Sequence, residues 1–230
     1  DLLRMASGAA EQNGDSTIWT PEQTKDWNQG LLNLAELIAT DRISKAARGA
    51  FSEYKPGEMF AYKSTDPMTL GLMVSRATGM PLSQWIQEQV LNPMGAAHPG
   101  LYSQDRAKNG LGDSGMRLRM EDWMRFAVWV KESSKRSDCF GDFVKAAMVK
   151  QIGNDRNPAA RKHGRMFGGY GYLIWTENIT APDTAWASGW GGQRIGWNYR
   201  NDRMLVVFSS REAWMPEVYE LARDWGKAQR

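Results

Sequence analysis

Tyr62 and Ser64 stand two residues apart at the end of Pro56-Gly57-Glu58-Met59-Phe60-Ala61-Tyr62-Lys63-Ser64. The segment reads as a Pro-Gly turn followed by a short, half-apolar extended stretch. On an extended segment residues two apart share a face, and on a tight turn both side chains can enter one cleft. A tyrosine hydroxyl serves as a general base where nearby positive charge lowers its pKa. Taken alone, a Tyr-x-Ser triplet arises by chance in many chains, and the bland reading is an ordinary packed tyrosine.

A second candidate is Ser188-Gly189-Trp190-Gly191-Gly192-Gln193. Three glycines within four positions, read here as part of a strand, imply close approach of the backbone to another group. Amide N–H groups of such a segment, facing a cleft, can donate to a developing oxyanion. A bulged or bent strand without any ligand accounts for the same glycines. Trp186, Trp190 and Trp197 lie in this Gly-rich region and are candidates for lining a cleft.

The elements that must carry these residues fall in a clear order. Asp1 to Met5 reads as the end of a helix. Trp19 to Thr40 keeps helical spacing, with Thr20 as cap and Pro21 in the first turn. Asp66-Pro67 starts another helix with Leu70, Met73, Val74 and Ala77 on one face, and Gly79 stops it. Pro81 opens a further helix, which Asn92-Pro93 closes. Leu101 to Asp113 reads as loop, Arg119 to Lys131 and Phe143 to Val149 as helices, and Gly153 to Gly168 as a polar loop. The period then changes to two. Tyr170 to Trp175, Ala185 to Ser188, Ile195 to Tyr199 and Met204 to Ser209 read as strands, with a turn at Asn201-Asp202. Met215 to Lys227 reads as a closing helix. Helices followed by an antiparallel sheet and a final helix define an α+β class. The expected division is a mostly helical lobe over 1–168 and strands plus helix over 169–230, together one structural unit.

Composition bounds the function. The 230 residues, 42% hydrophobic, suffice for a substantial core. A net charge of +3 with both signs interspersed argues against a nucleic-acid partner, which needs clustered basic residues. The densest basic stretch, Arg156 to Arg165, reads as a solvated loop. No apolar run approaches the ~18 residues of a membrane span. The single cysteine, Cys139, allows no internal disulfide and reads as a buried or neutral thiol rather than a nucleophile. His98 and His163 have no partner at helical spacing, so no metal site is expected, and nothing calls for a cofactor. Cytosol and periplasm are both compatible with this composition.

Taken in order, these motifs resemble the serine β-lactamase and penicillin-binding-protein superfamily. Asp1-Leu2-Leu3-Arg4-Met5-Ala6-Ser7-Gly8 is similar to its "DLLxMxSG" element. Tyr62-Lys63-Ser64, Leu70-Gly71, Thr78-Gly79-Met80-Pro81-Leu82 and Pro93-Met94-Gly95 follow in the family's order. Gly115-Met116-Arg117-Leu118 with Asp122 and Phe126, then Tyr170-Gly171-Tyr172 and the Gly189 to Gln193 segment, complete the set. The resemblance spans essentially the whole chain and is nearest to the class C-like branch of esterases and 6-aminohexanoate-dimer hydrolases.

The resemblance implies a β-lactamase/transpeptidase-like fold and a serine hydrolase of the esterase or amidase type, working through an acyl-enzyme on a small ester or amide. Tyr62 would be the general base, and Ser64 stands where β-lactamases carry the asparagine of Tyr-x-Asn. The Trp190 N–H would serve the oxyanion hole. Ser188, Gly189, Gly191, Gly192, Gln193, Tyr170 and Trp186 would contact substrate. The nucleophilic Ser-x-x-Lys is expected upstream of Asp1. Ala187-Ser188-Gly189 aligns with the family's Lys-Thr-Gly; Ala187 lacks the lysine that holds a penicillin carboxylate, which favours esters and amides over β-lactams. Ser52-Glu53-Tyr54-Lys55 matches Ser-x-x-Lys literally, but Pro56 interrupts the helix that would place serine and lysine on one face. Gly112-Asp113-Ser114-Gly115 copies the chymotrypsin serine motif in a chain whose preceding half is helical. Two other readings stay open: a catalytically inactive pseudoenzyme that binds a peptide or acyl ligand, and a helical structural module.

Overall fold

The computed structural model describes residues 1–8, 55–154, 167–179, 181–209, 220, 221 and 223–226. They fall into two compact units, one holding the described residues up to Leu118 and the other those from Arg119 onward. The expected helix Trp19 to Thr40 and the candidate Ser52 lie outside the described residues.

In the first unit the chain begins with a 3₁₀ turn, Leu2–Arg4, not the tail of a regular helix. Met5 adopts a left-handed φ of 52° and ends it. The Pro56-Gly57 turn is stitched to this start: Gly57 N–H donates to Ala6 O at 2.7 Å and Ala61 N–H to Met5 O at 2.8 Å. Gly57 has φ 88°, a conformation that a side chain strains.

Helix α1 (Thr65–Thr78) follows, with Pro67 in its first turn and Gly79 beyond its end at φ 69°. Its buried face differs from the expected one. Met68, Gly71 and Leu72 are buried, whereas Met73 is exposed. The reason is a close approach: a Cβ on Gly71 would meet Leu82 Cδ2 at 2.9 Å and Gly112 Cα at 3.2 Å. Helix α2 (Leu82–Ile86) continues as a π-helical turn, Gln87–Leu91, before Asn92-Pro93. The stretch expected as loop begins with a short strand: β1 (Leu101–Tyr102) pairs antiparallel with β2 (Met116–Arg117), which lies just beyond that stretch.

The second unit carries α3 (Met120–Ser133) and α4 (Cys139–Ala147). Asp138 caps α4, accepting from Gly141 N–H at 2.9 Å. Cys139 is exposed, not buried. The sheet is a six-stranded antiparallel meander: β3 (Ile152–Gly153), β4 (Phe167–Tyr170), β5 (Trp175–Asn178), β6 (Ala181–Ser188), β7 (Arg194–Asn198) and β8 (Met204–Val207), in that spatial order. The run expected as one strand, Tyr170 to Trp175, is instead the turn between β4 and β5. Gly171 sits there so close to Ala147 O that a Cβ would lie 1.9 Å away, and Leu173 takes φ 58°. One face of the sheet packs on the helices, with Ala127, Val144, Met148, Ala185, Ile195 and Trp197 as its buried cluster. The described residues from 220 to 226 are helical, as expected of a closing helix. No helix among the described residues is long and apolar enough to cross a membrane.

Candidate active site

In the first unit, Tyr62 lies between two residues that fix its backbone. Ala61 is tied through its N–H to Met5. Lys63, 1% exposed, donates to Ala61 O at 2.6 Å and Met5 O at 3.4 Å. Its ammonium also sits 3.4 Å from Asp66, whose side chain is 3% exposed. Asp66 accepts from both the hydroxyl and the N–H of Ser7. One buried carboxylate in the first turn of α1 thus joins the chain start, the Tyr62 segment and the helix. Burial raises the Asp66 pKa, and Lys63 and Ser7 offset only part of that rise.

Ser64 occupies the cap position of α1 but makes no side-chain cap bond. Its side chain hydrogen-bonds the carboxyl of Asp113 instead. Asp113 arrives on a turn held by two glycines. A Cβ on Gly112 would collide with Pro67 O at 2.0 Å, and Gly115, at φ 85°, is packed against Ser103. Tyr102, at the end of β1, is near enough to feel the charge of the same carboxyl. Burial first, then the Asp113 charge, raises Tyr62; the same two causes push Tyr102 up to about 12. Burial also raises Asp113, against hydrogen bonds from Ser64 and Ser114. Asp113 is therefore bonded by the Ser64 and Ser114 hydroxyls, and its charge reaches the Tyr62 and Tyr102 phenols.

The remaining expected site residues lie in the second unit. Ser188 ends β6 and Arg194 begins β7, paired across the hairpin. The glycine segment is the connecting loop, not a strand as expected. Trp190–Gly192 forms a 3₁₀ turn closed by Gly189 N–H to Gln193 O at 2.9 Å. Gly191 and Gly192 have φ 73° and 90°, which explains the glycines by backbone geometry. Arg194 braces the loop, donating to Gly189 O at 2.8 Å and Gln193 O at 2.7 Å, and Gln193 donates to Ser209 O. Trp190 is the first residue of the turn, a position whose N–H finds no partner within the turn itself. The Ser188 hydroxyl is buried with no hydrogen-bond partner among the described residues.

Three aromatic expectations are corrected. Trp186 is 1% exposed, bonds Thr184 Oγ1 at 2.7 Å and packs edge-on against Trp225. Tyr170 is 2% exposed, edge-on to Trp175. Trp197 is 3% exposed and donates to Ala127 O at 2.9 Å. All three are core residues, because both faces of the central strands are covered. Asp113 and Tyr102, and the Lys63–Asp66 pair that braces the Tyr62 segment, are the residues that sequence reasoning passed over. Asp113 was visible only as part of the chymotrypsin-like decoy; Ser114, the decoy's serine, is exposed and bonds Asp113 at 3.0 Å. Among the described residues no cluster of histidine, cysteine and carboxylate side chains is fit to hold a metal.

The helices and the antiparallel six-stranded sheet define a β-lactamase/transpeptidase-like fold. The chain belongs to the β-lactamase family, whose model matches residues 1–229. Solved structures share the fold at low identity. The octameric penicillin-binding protein homologue from Pyrococcus abyssi superposes with a TM-score of 0.66 at 19% identity, covering 99% of this chain and 55% of that one. A putative 6-aminohexanoate-dimer hydrolase from Bacillus anthracis gives 0.65 at 16% identity, covering 98% and 59%. EstCE1, a hydrolase with promiscuous acyltransferase activity, gives 0.66 at 14% identity, covering 99% and 71%. A putative D-alanyl-D-alanine carboxypeptidase from Escherichia coli (strain K12) is 39% identical over 46 residues, 20% of this chain and 11% of that protein. The chain thus spans little more than half the length of the first two structures.

Proposed function

We propose that this chain carries the general base and the oxyanion loop of a serine hydrolase that cleaves small esters or amides through an acyl-enzyme. The observation that carries the reading is the Tyr62 phenol, held beside Ser64 at the head of α1 by a buried ion pair, in a chain matched to the β-lactamase family along its length. In this reading Tyr62 takes the proton of a serine nucleophile as that oxygen attacks the acyl carbonyl. The proton then passes to the leaving oxygen or nitrogen as its bond to the acyl carbon breaks. Water repeats the sequence on the acyl-enzyme, with Tyr62 again as base. The Trp190 N–H donates to the oxyanion, and the unpartnered Ser188 hydroxyl binds substrate. Ser64, two residues from the base, is bonded to Asp113.

Burial and Asp113 both work against ionising Tyr62. The base therefore needs a cation to offset them, a role that fits the lysine of a Ser-x-x-Lys motif. That requirement also supports a second reading, ligand binding without turnover, if no such cation reaches the phenol. The test uses the protein with its native sequence upstream of Asp1. Labelling by a serine-directed fluorophosphonate, with Tyr62→Phe lowering kcat by about 10²–10⁴, is the expected result. Absence of labelling, together with stoichiometric acyl-ligand binding, would replace the hydrolase by the binding protein.

A further inference from the structure

We propose that Arg194 is a positioning residue for the oxyanion loop, its guanidinium setting both the direction and the donor strength of the Trp190 N–H. This role presupposes the hydrolase reading above, in which that N–H meets the oxyanion, and adds to it a residue that does not itself touch substrate.

Arg194 reaches Trp190 through one peptide unit. Gly189 C=O and Trp190 N–H belong to the same planar trans peptide and point in opposite directions. Whatever holds the carbonyl therefore aims the N–H. Arg194 Nη1 donates to Gly189 O at 2.8 Å and, from the same nitrogen, to Gln193 O at 2.7 Å. A single nitrogen thus ties together the two ends of the loop that carries Trp190.

The loop is built so that this tie matters. Gly189 is extended and has no side chain to restrict rotation of the peptide that follows it. The closing backbone bond, Gly189 N–H to Gln193 O at 2.9 Å, fixes the peptide before Gly189, not the one after it. The 3₁₀ turn is interrupted at Gly191 (φ 73°, ψ 10°), so its own bonds hold that peptide weakly. Arg194, by contrast, is anchored in the sheet. It pairs with Ser188 of β6 on one side and Val207 of β8 on the other, and is 3% exposed.

The guanidinium also changes the quality of the donor. It stays charged at every working pH, and a charged donor makes the stronger hydrogen bond. Hydrogen bonds in series polarise one another. A peptide whose oxygen carries a guanidinium therefore presents a better N–H at its other end, and the gain grows as negative charge develops on the oxyanion.

The test uses the protein with its native sequence upstream of Asp1 and two substrates, p-nitrophenyl butyrate and its thiono analogue, in which sulfur replaces the carbonyl oxygen. Sulfur is a weak acceptor, so the oxo-to-thiono ratio of kcat/KM, each normalised to spontaneous hydrolysis, reads the oxyanion donors alone. The unmodified protein is expected to favour the oxo ester by about 10². Arg194→Met should lower kcat on the oxo ester by about 10² with KM changing less, and reduce the preference to about tenfold or below. A preference that Arg194→Met leaves unchanged overturns the positioning role, even if activity falls, because a merely structural residue weakens both substrates alike. Should the Tm show that Arg194→Met does not fold, Arg194→Lys keeps the charge and loses the planar fork. An intermediate preference upholds the role there, and a native one overturns it. If the unmodified protein neither turns over the esters nor takes a fluorophosphonate label, the hydrolase reading fails and the role falls with it. Turnover with an unmoved ratio removes the role of Arg194 alone.

Discussion

Lys63 stands between the two residues of the Tyr-x-Ser motif, yet it points the other way, into the core. It serves two backbone carbonyls and one carboxylate at once. Removing one member of a buried pair strands the other, at a cost of about 3–5 kcal/mol. Lys63→Met should therefore lower stability by that amount at pH 7, measured by urea unfolding. Adding Asp66→Asn should recover part of the loss, because the stranded charge goes with it. Equal effects of the single and double variants would mean the pair contributes packing alone. At this scale the sequence was half legible. Tyr62 and Ser64 announce themselves by a turn signal before them and a helix start after them. Asp113 does not, because its tie to Ser64 is a tertiary contact between distant segments, and no local pattern encodes it. Lys63 was equally hidden, since alternation leaves a lysine next to a tyrosine looking like an ordinary solvent-facing neighbour.

At the scale of elements, the hairpin loop between β6 and β7 shows why the glycine cluster was recognisable and still misassigned. Ser188 and Arg194 close the ladder, and the residues between them turn back with two consecutive left-handed glycines. Any side chain there meets the left-handed penalty of about 1–2 kcal/mol. Gly191→Ala should cost that much in stability. In the hydrolase reading it should also lower kcat by about 10², as displaced oxyanion donors do, with KM changing less. A melting curve and steady-state kinetics separate the two effects; a stability loss with kcat intact would leave the loop a purely structural turn. The strands failed differently. Period-two alternation finds two faces and says nothing about what covers each. Here β7 is buried at all five positions, Trp197 meeting α3 through Ala127 and Trp186 meeting Trp225. Aromatic residues that look available in a Gly-rich stretch are consumed by packing. Gly196 records this, since a Cβ there would lie 2.6 Å from the Trp186 ring.

At the scale of the whole molecule, two carboxylates of the first unit and two of the second respond to acid in opposite directions. In the first unit Asp66 and Asp113 are both raised, burial being the largest cause. A raised carboxyl holds its proton more tightly folded than unfolded, so its contribution favours folding at low pH and is lost as pH rises through its folded value. In the second unit Asp138 is lowered to about 2, first by Arg136 and then by the Gly141 N–H it caps, and Asp202 is lowered by Lys131. Lowered carboxyls contribute above their unfolded value and lose that contribution as pH falls toward the folded one. Between about pH 5 and pH 3, near the unfolded carboxylate range, the first unit should therefore hold while the second weakens. Hydrogen exchange followed by mass spectrometry, corrected for its intrinsic pH dependence, reads this directly. Peptides from α3 and α4 are expected to lose protection before those from α1. The exposed pairs of the second unit are screened by salt and the buried carboxyls of the first are not. The same titration in 0.5 M sodium chloride should therefore start with less protection in α4 and show a shallower acid loss there, with α1 unchanged. Loss of α1 first, at either salt concentration, would mean that Lys63 and Ser7 outweigh burial at Asp66, reversing the sign assigned to the pair that anchors Tyr62.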